Sequence, residues 1–579
     1  MKRWIPIIIS VVTALVFFAC MTTRAEAHPV PTLDGGFGLS GQPSVFDSTF
    51  VLAQNFRTLA AVPCVEPPNT PEADGMAGPY PCKNVDLAAY VPTGLLLGGT
   101  AAGNWGWTDP MCGREYALVG MTQSTTFVDV TIPEAPIVRG IIPAPLGSPG
   151  TLWRELKVYN NHVYIVQDLL GSGVQIFDLT RLRLPAPAPP CGPVPQVFDP
   201  VPEFQPDAVY EQQGTGPTVS NVHTITINEA TGFAYLNGSN TCGSSPHMID
   251  LKPNPKAPIY VGCAGSDGYT HDAQCVVYNG PDTEHQGKEI CVLYNEDTLT
   301  VTDVTNKSAP VQLEREGYAG SAYTHQGWFT VDQRYILSDD ELDEGTTVNS
   351  STPTKTYLWD ASDLDNLVKI STFQHPNTRT ASTTDTLICI DHNQYVRGNI
   401  VYQSDYACGL RIYGLSTIAG GTLTELAHFD TMPATDISFN IGGDLTGDWA
   451  NYPYFASGTV VVNNITEGLF VLQPRLGPTA VTLASFRGRQ TGKSVTLNWR
   501  TASETDVLGF NVWRIAKNRR GIVNRTLIPA KAYGQAGGAA YRFVDRNARP
   551  GVVNTYKLQV VSKDGLRAFK ASTTVRMQH

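Results

Sequence analysis

A chain of 579 residues is longer than a single ordinary core can serve, so we expect several domains or one repeat array with an appendage. It carries 41 basic residues against 52 acidic ones, and its net charge is −11. Residues 478–579 hold 18 basic residues and four acids, a net charge of +14, which leaves residues 28–477 at −27. The acidic body argues against nucleic acid as a partner, because phosphate binding requires a positive surface.

The first 27 residues have the order of a secretory signal peptide. Lys2 and Arg3 precede an apolar run over residues 4–19, and a small-residue site ends at Ala27. The run is shorter than the roughly 20 residues of a membrane-spanning helix, so we predict no transmembrane span in the mature chain. The expected location is secreted or cell surface. Lipid anchoring at Cys20 is the less favoured alternative, since Phe17 stands where a lipobox usually has Leu.

Ten cysteines remain after removal of the signal, and an even number in an exported chain favours disulfides. A metal site would require close pairs such as Cys-x-x-Cys, which are absent from the sequence. Proximity along the chain suggests four pairs, which leaves Cys112 and Cys191 over. These four are Cys64 with Cys82, Cys242 with Cys263, Cys275 with Cys291, and Cys389 with Cys408.

Residues 28–84 form an N-terminal extension that contains Cys64 and Cys82, and short strand-like runs between turn residues follow it. A strand that ends in Asp and a turn recurs, as in "TFVDVTIPEAP" and "LTVTDVTNKSAP", so the body over 85–477 is predicted to be all-β. Repeated units of about 40–50 residues, each with several short strands, favour propeller blades over solenoid coils. We predict a seven-bladed β-propeller with blades near 88–140, 150–190, 220–263, 269–317, 323–375, 388–432 and 440–475.

The pattern changes in residues 478–579, whose strand spacing is typical of a small fibronectin-type-III-like β-sandwich. Trp499 and Tyr556 are its expected core residues. Because buried unpaired charge is costly, we expect nearly all of the positive charge to lie in water. That surface could attract an anionic envelope polymer or the acidic body of the same chain. A protein ligand is a further candidate partner of the protein. A solvated spacer without a partner is the alternative.

Long strings in residues 85–475 resemble the choice-of-anchor B proteins, whose blades are described as LVIVD repeats. Among them are "NNHVYIVQDLLGSGVQIFDLTRLR", "GSAYTHQGWFTVDQRYILSDDELDE" and "DHNQYVRGNIVYQSDYACGLRIY". The resemblance implies a shared propeller body and a C-terminal device that holds it to a cell surface. It implies no molecular activity.

Histidines occupy equivalent places at the start of four blades: His223, His271, His325 and His392, with Arg154 in the same place of another blade. A propeller gathers such positions around its axial channel. The imidazoles could hold a transition metal, or each could hydrogen-bond the neighbouring blade and close the ring. The second interpretation is favoured.

An acidic cluster made of Asp339, Asp340, Glu341, Asp343 and Glu344 offers oxygen ligands for calcium, with Glu296 and Asp297 in the preceding blade. A solvated loop is the alternative, because the spacing is not that of an EF-hand. Asp282, Glu284 and His285 fall on a predicted hairpin turn and are expected at the surface.

The sequence contains none of the common nucleophile, zinc-protease or phosphate-loop motifs, so we assign no catalytic residue. The favoured function is a non-catalytic, extracellular or cell-surface binding scaffold. The alternative is a metal-dependent propeller enzyme that acts on an extracellular substrate. Calcium and a transition metal are the cofactor candidates.

Overall fold

The computed structural model is an all-β protein. It describes residues 61–65, 74–145, 148–183, 191–192, 200–211, 216–265, 267–344, 353–375, 389–432, 446–476, 483–502, 504, 507–516, 519–532, 538–548, 550–562 and 567–578. The predicted signal peptide and Cys20 lie outside these residues. Among the described residues, no helix has the length and apolarity that a membrane crossing requires. The helical turns are Thr93–Leu96, Leu179–Leu182, Cys242–Ser244 and Ile418–Gly420.

Three strands open the described chain, namely β1 (Gly75–Ala77), β2 (Tyr80–Lys83) and β3 (Val85–Pro92). The strands that follow form consecutive antiparallel sheets, numbered I to VII in chain order. Sheet I is β4–β7 (Ala101–Thr108, Glu115–Met121, Ser124–Asp129, Ile137–Pro143), and sheet II is β8–β11 (Arg154–Tyr159, His162–Gln167, Val174–Asp178, Ala208–Tyr210). Sheet III is β12–β15 (Thr224–Asn228, Phe233–Asn237, His247–Asp250, Ile259–Cys263), and sheet IV is β16–β19 (Asp272–Val277, Glu289–Tyr294, Thr298–Asp303, Val311–Gly317).

The remaining sheets of the body use the opening strands as well. Sheet V is β20–β23 (Thr324–Phe329, Tyr335–Asp340, Lys355–Asp360, Val368–Gln374). Sheet VI is β24–β27 (Asn393–Arg397, Ile400–Ser404, Leu410–Gly414, Thr424–Phe429), extended by β2 and β1. Sheet VII is β28–β30 (Asp448–Tyr452, Val460–Asn464, Gly468–Pro474), completed by β3.

Burial follows the position of a strand within its sheet. The second strand of sheet IV, β17, is buried along its whole length, whereas the outermost strand β19 is largely exposed. A strand packed on both faces reads as a continuous apolar run, and an outer strand can carry charges that discourage pairing with other chains. This gradient places the first strands of the sheets on the inside.

The first strands of sheets I to VII contact one another in sequence, and the first strand of sheet VII contacts that of sheet I. Side chains on several of these strands hydrogen-bond backbone carbonyls of the neighbouring sheet, which gives those carbonyls a partner. These hydrogen bonds run from Asn104 to Ala450 (3.0 Å), Thr224 to His271 (2.6 Å), Thr226 to Ala273 (2.7 Å), Gln326 to Gln394 (3.2 Å) and Asn451 to Asn393 (3.2 Å).

Strand β3 pairs with β30, so one of the opening strands completes the last sheet of the body. The prediction that the first blade begins near residue 88 is therefore wrong, since the first strand of sheet I starts at Ala101. Gly468 lies where β30 meets β3, with a φ of +121°, and a Cβ there would collide with the Val91 carbonyl. Glycine is therefore required at this point of closure.

Five disulfides join the ten cysteines of the described residues. Four are the pairs predicted from proximity, and Cys112 bonds Cys191. Cys275 and Cys291 lie directly opposite each other on β16 and β17, with their Cα atoms 4.0 Å apart. Five disulfides indicate an oxidising, extracellular environment.

The C-terminal residues form two further antiparallel sheets around their own core, in which Trp499 and Tyr556 are buried. One sheet is β31 (Leu483–Thr491), β32 (Ser494–Thr501) and β36 (Ala540–Asp545). The other is β33 (Val507–Ala516), β34 (Arg519–Ile522), β35 (Ile528–Pro529), β37 (Val553–Ser562) and β38 (Arg567–Arg576).

Part of the positive charge of this region turns towards the acidic body. Lys557 Nζ lies 3.8 Å from a Glu134 oxygen. Arg520 is only 5% exposed, with its guanidinium 5.1 Å from the centroids of the Trp513 and Phe569 rings. Arg520 is therefore an exception to the expected exposure of nearly all of this charge, because two aromatic rings cover its cation.

His247 provides a test of the core of sheet III. Burial lowers its pKa to about 4, and its ring bonds the Tyr210 hydroxyl and the Thr241 hydroxyl, each at 2.9 Å. The unfolded chain takes up this proton near pH 6.5, so stability is lost as the pH falls from about 6.5 to about 4. We expect the free energy of unfolding of His247→Gln to fall by about 2–3 kcal/mol less than that of the wild type over this pH range.

Denaturant unfolding of both proteins at pH 7.5, 6.5, 5 and 4 measures this difference. The amide of Gln can replace both hydrogen bonds without titrating. Parallel losses of stability in the two proteins across this range would contradict the assignment.

Candidate functional site: the axial channel

The structure brings the four predicted histidines together at the starts of the inner strands of sheets III to VI. All four are buried, and successive rings touch. The ring centroids are 4.4 Å apart for His223 and His271, 4.1 Å for His271 and His325, and 4.4 Å for His325 and His392. The result is a continuous arc of imidazoles around the axis.

Two of these histidines are oriented by carboxylates. His223 Nδ1 lies 3.1 Å from Asp168 Oδ2, and His325 Nδ1 lies 3.2 Å from Asp339 Oδ1. A carboxylate that accepts from Nδ1 fixes the ring and directs Nε2 away from it. In both cases Nε2 faces the other imidazoles.

The other two are oriented by carbonyls of the next sheet. His271 Nδ1 donates to the His325 carbonyl at 3.1 Å, and His392 Nδ1 donates to the Trp449 carbonyl at 2.6 Å. His223 Nε2 and His271 Nε2 are 2.8 Å apart, so one of them must donate the proton that joins the pair. The arc is thus a hydrogen-bonded chain that links neighbouring sheets.

Glu341 completes the arc at its far end. Its two oxygens lie 3.7 Å from His325 Nε2 and 3.6 Å from His392 Nε2, and the Tyr406 hydroxyl donates to Oε1 at 2.6 Å. Burial raises the pKa of Glu341 to about 7. The sequence placed Glu341 in a calcium cluster, but its side chain belongs to the histidines.

Arg154, which replaces histidine in sheet II, lines the same small chamber. Its Nη2 donates to Gln167 Oε1 at 2.5 Å, and burial lowers its pKa to about 10. The chamber has a volume of about 20 Å³, enough for a single water molecule. A larger ligand cannot enter it in this conformation.

A second cavity of about 470 Å³ lies further along the same inner strands. For one chamber residue in each of six sheets, the residue three positions later lines this cavity, so six sheets contribute to both cavities. The pairs are Arg154 and Lys157, His223 and Thr226, His271 and Gln274, His325 and Trp328, His392 and Tyr395, and Trp449 and Tyr452. The volume lies in the range of small-molecule sites.

Five aromatic rings line this second cavity, which we call the aromatic pocket. They are Trp105, Trp328, Tyr395, Tyr452 and Tyr454. Several meet edge to face, with Trp105 and Tyr452 centroids 5.1 Å apart and Trp328 and Tyr395 centroids 5.1 Å apart. Such contacts hold the rings in fixed orientations.

Charged groups line the same pocket. Lys157 Nζ lies 2.5 Å from Glu155 and 4.4 Å from the centre of the Trp105 ring. Burial raises the pKa of Asp272 to about 6 and also raises that of Glu229. Asp272 borders both cavities, so the pocket and the histidine chamber share one wall.

Three of the acidic residues proposed for calcium have separate partners in the described chain. Asp339 accepts from the Gln326 amide at 2.7 Å, and Asp340 accepts from the Tyr323 amide at 2.6 Å. Asp343 pairs with Lys355 at 2.7 Å. Alternation along β21 and the turn after it directs these side chains to different partners.

Asp297, also considered for calcium, pairs with Arg315 at 3.1 Å.

The prediction that the hairpin-turn residues lie at the surface is wrong for His285, which is 5% exposed, whereas Glu284 is exposed. His285 Nε2 lies 2.8 Å from an oxygen of Asp365, in the turn between β22 and β23 of sheet V. This contact joins residues that are 80 positions apart in the sequence, and it covers the imidazole ring.

The aromatic pocket was not among the features predicted from the sequence. A signal existed, because Trp328 and Tyr395 each follow a predicted axial histidine by three residues. The same spacing gives Thr and Gln after His223 and His271, so the residue types vary although the position recurs. Only the recurrence of a position three residues after each axial residue, whatever the residue type, would have identified the pocket.

No protein-family profile and no curated protein matches the sequence. Among solved structures, the C-terminal WD40 domain of Sif2 is 6% identical over 67% of this chain and 98% of that chain, with a TM-score of 0.38. The extracellular domain of the one component system BT4673 from B. thetaiotaomicron is 10% identical over 84% of this chain and 59% of that chain, with a TM-score of 0.39. An Fn3-like protein from Clostridium thermocellum is 16% identical over 17% of this chain and 97% of that chain, with a TM-score of 0.14. Likenesses this distant carry no argument about function.

Proposed function

We propose that this protein is an exported, cell-surface or extracellular binding scaffold of the choice-of-anchor B type. Its body, residues 85–477, is a seven-bladed β-propeller, and residues 478–579 are a fibronectin-type-III-like domain that tethers or spaces it. The closed succession of inner strands in sheets I to VII supports the propeller. The five disulfides support an extracellular location.

The aromatic pocket carries the proposal that the scaffold binds a ligand. Its rings offer flat apolar faces, while Lys157, Asp272 and Glu229 offer charged hydrogen-bonding groups at the same wall. A few convergent polar groups among aromatic side chains are typical of small-molecule sites. A sugar ring has matching chemistry, with apolar C–H faces and hydroxyl edges, so the proposed ligand is a saccharide.

The C-terminal domain orients the body in this proposal. Gln559 Nε2 donates to the Ala456 carbonyl at 3.2 Å, close to the Lys557 and Glu134 pair. These contacts join the domain to sheets VII and I. The exposed basic residues on its other surfaces remain available to an anionic envelope polymer.

The binding proposal predicts that deletion of a single aromatic ring weakens saccharide recognition. The mature chain is screened against a glycan array, and hits are measured by calorimetry. We expect Trp105→Ala and Trp328→Ala each to weaken binding by about tenfold or more, because central aromatic contacts dominate binding energies.

Trp107→Phe is the matched control on the same strand. Trp107 does not line the pocket, and its indole nitrogen donates to Asn161 Oδ1 at 3.2 Å. It should bind like the wild type, and thermal melts should show that all variants are folded. A wild-type protein that binds no saccharide, or pocket variants that bind normally, would overturn the proposal.

A further inference from the structure

We infer that His325, His392 and Glu341 are the protein ligands of one divalent transition-metal ion on the axis of the body. One nitrogen of each imidazole and one oxygen of the carboxylate all lie within 4.8 Å of one another. All three residues are buried. The inference does not depend on saccharide binding, because none of the three lines the aromatic pocket.

The distances fit ligands of a common ion better than direct hydrogen bonds. His325 Nε2 and His392 Nε2 lie 3.7 and 3.6 Å from the Glu341 oxygens, beyond hydrogen-bond range. Two atoms bound to one zinc ion at about 2.1 Å in tetrahedral geometry are about 3.4 Å apart. Small side-chain adjustments therefore suffice to coordinate an ion between them.

Outer contacts already hold each ligand in a binding orientation. Asp339 accepts from His325 Nδ1, the Trp449 carbonyl accepts from His392 Nδ1, and the Tyr406 hydroxyl bonds Glu341. Metal-bound histidines commonly donate their second nitrogen to a carboxylate or carbonyl in this manner. Both Nε2 atoms are thereby turned towards Glu341.

The donor set selects the class of metal. Two imidazole nitrogens and one carboxylate suit zinc, iron or a similar ion, whereas calcium prefers six or more oxygens. Three protein ligands leave a coordination position open. The adjoining chamber of about 20 Å³ has room for one water molecule at that position.

A second group of His and Asp residues in the described chain differs from the proposed metal site. Asp282, His285 and Asp365 also lie within 4.8 Å of one another. His285 Nε2 is only 2.8 Å from Asp365, and the Asp365 side chain is 49% exposed. That distance fits a direct hydrogen bond, so this group serves as the control.

The test uses the mature chain, stripped with a chelator and titrated with Zn²⁺ or Co²⁺. We expect one equivalent to bind, with visible Co²⁺ bands that report nitrogen and oxygen ligands. Glu341→Gln and His392→Gln should each weaken Zn²⁺ binding by about 100-fold or more. Asp339→Asn, which acts through the orientation of His325, should weaken it by about 10-fold to 100-fold.

His285→Gln should bind Zn²⁺ like the wild type. Circular dichroism and thermal melts should show that Glu341→Gln is folded, since the amide keeps the shape of the carboxylate. Three results would overturn the inference: no stoichiometric metal, unchanged affinity in Glu341→Gln and His392→Gln, or loss of metal in His285→Gln.

Discussion

A protein that lacks β3 should not form the closed body. Six residues of the strand are buried, namely Val85, Leu87, Ala88, Ala89, Tyr90 and Val91. Burial of such side chains contributes on the order of 10 kcal/mol in total, which is comparable with the whole stability of a typical folded protein. Deletion through Pro92 also exposes the edge of β30 to other chains.

We expect this truncated protein to aggregate and to lose its cooperative melt, as measured by gel filtration and near-ultraviolet circular dichroism. The control lacks residues 28–60 and keeps both the Cys64–Cys82 disulfide and β3. It should melt like the wild type. A monomeric product of the longer deletion with an unchanged melting temperature would show that β3 is dispensable.

Glu289→Ala should destabilise the protein by about 3–5 kcal/mol, because it leaves a buried lysine without its counter-charge. Lys307 Nζ lies 2.7 Å from Glu289, and neither side chain is more than 8% exposed. From sheet III, Asn228, Thr231 and Tyr235 donate to the same carboxylate at 2.6–2.8 Å. The variant therefore also breaks three hydrogen bonds between sheets III and IV.

Denaturant unfolding measures the loss. Lys256→Ala is the control, since Lys256 is 39% exposed and lies 3.4 Å from Asp207. An exposed pair contributes about 0–1 kcal/mol, so this control should be nearly neutral. Equal effects of the two variants would mean that the Glu289 network does not join the sheets.

The all-β class and the disulfides were predictable from local features. Strand-like runs recur between turns, and Cys275 and Cys291 flank one hairpin, which is a short-range relation. The repeated place of His223, His271, His325 and His392 also indicated that their rings face one axis. These inferences required only that equivalent positions fold alike.

The contacts made between distant segments were not predictable. The apolar pattern of β3 is the same whether it joins sheet I or sheet VII, and only ring closure decides between them. Glu341 follows β21 by one residue, and a run of acids does not reveal which side chain turns to the axis. Likewise, Asp365 covers His285 from another sheet.

The pairing of β3 with β30 also sets an order of events during synthesis. At about 5–20 residues per second, some 380 residues, or roughly 20–80 seconds, separate the emergence of the two strands. Throughout that interval β3 lacks its partner strand β30, while the adjacent β1 and β2 can already pair with each other. The body of the growing chain therefore stays open until β30 emerges, and its closure comes after the strands of the other six sheets have been made.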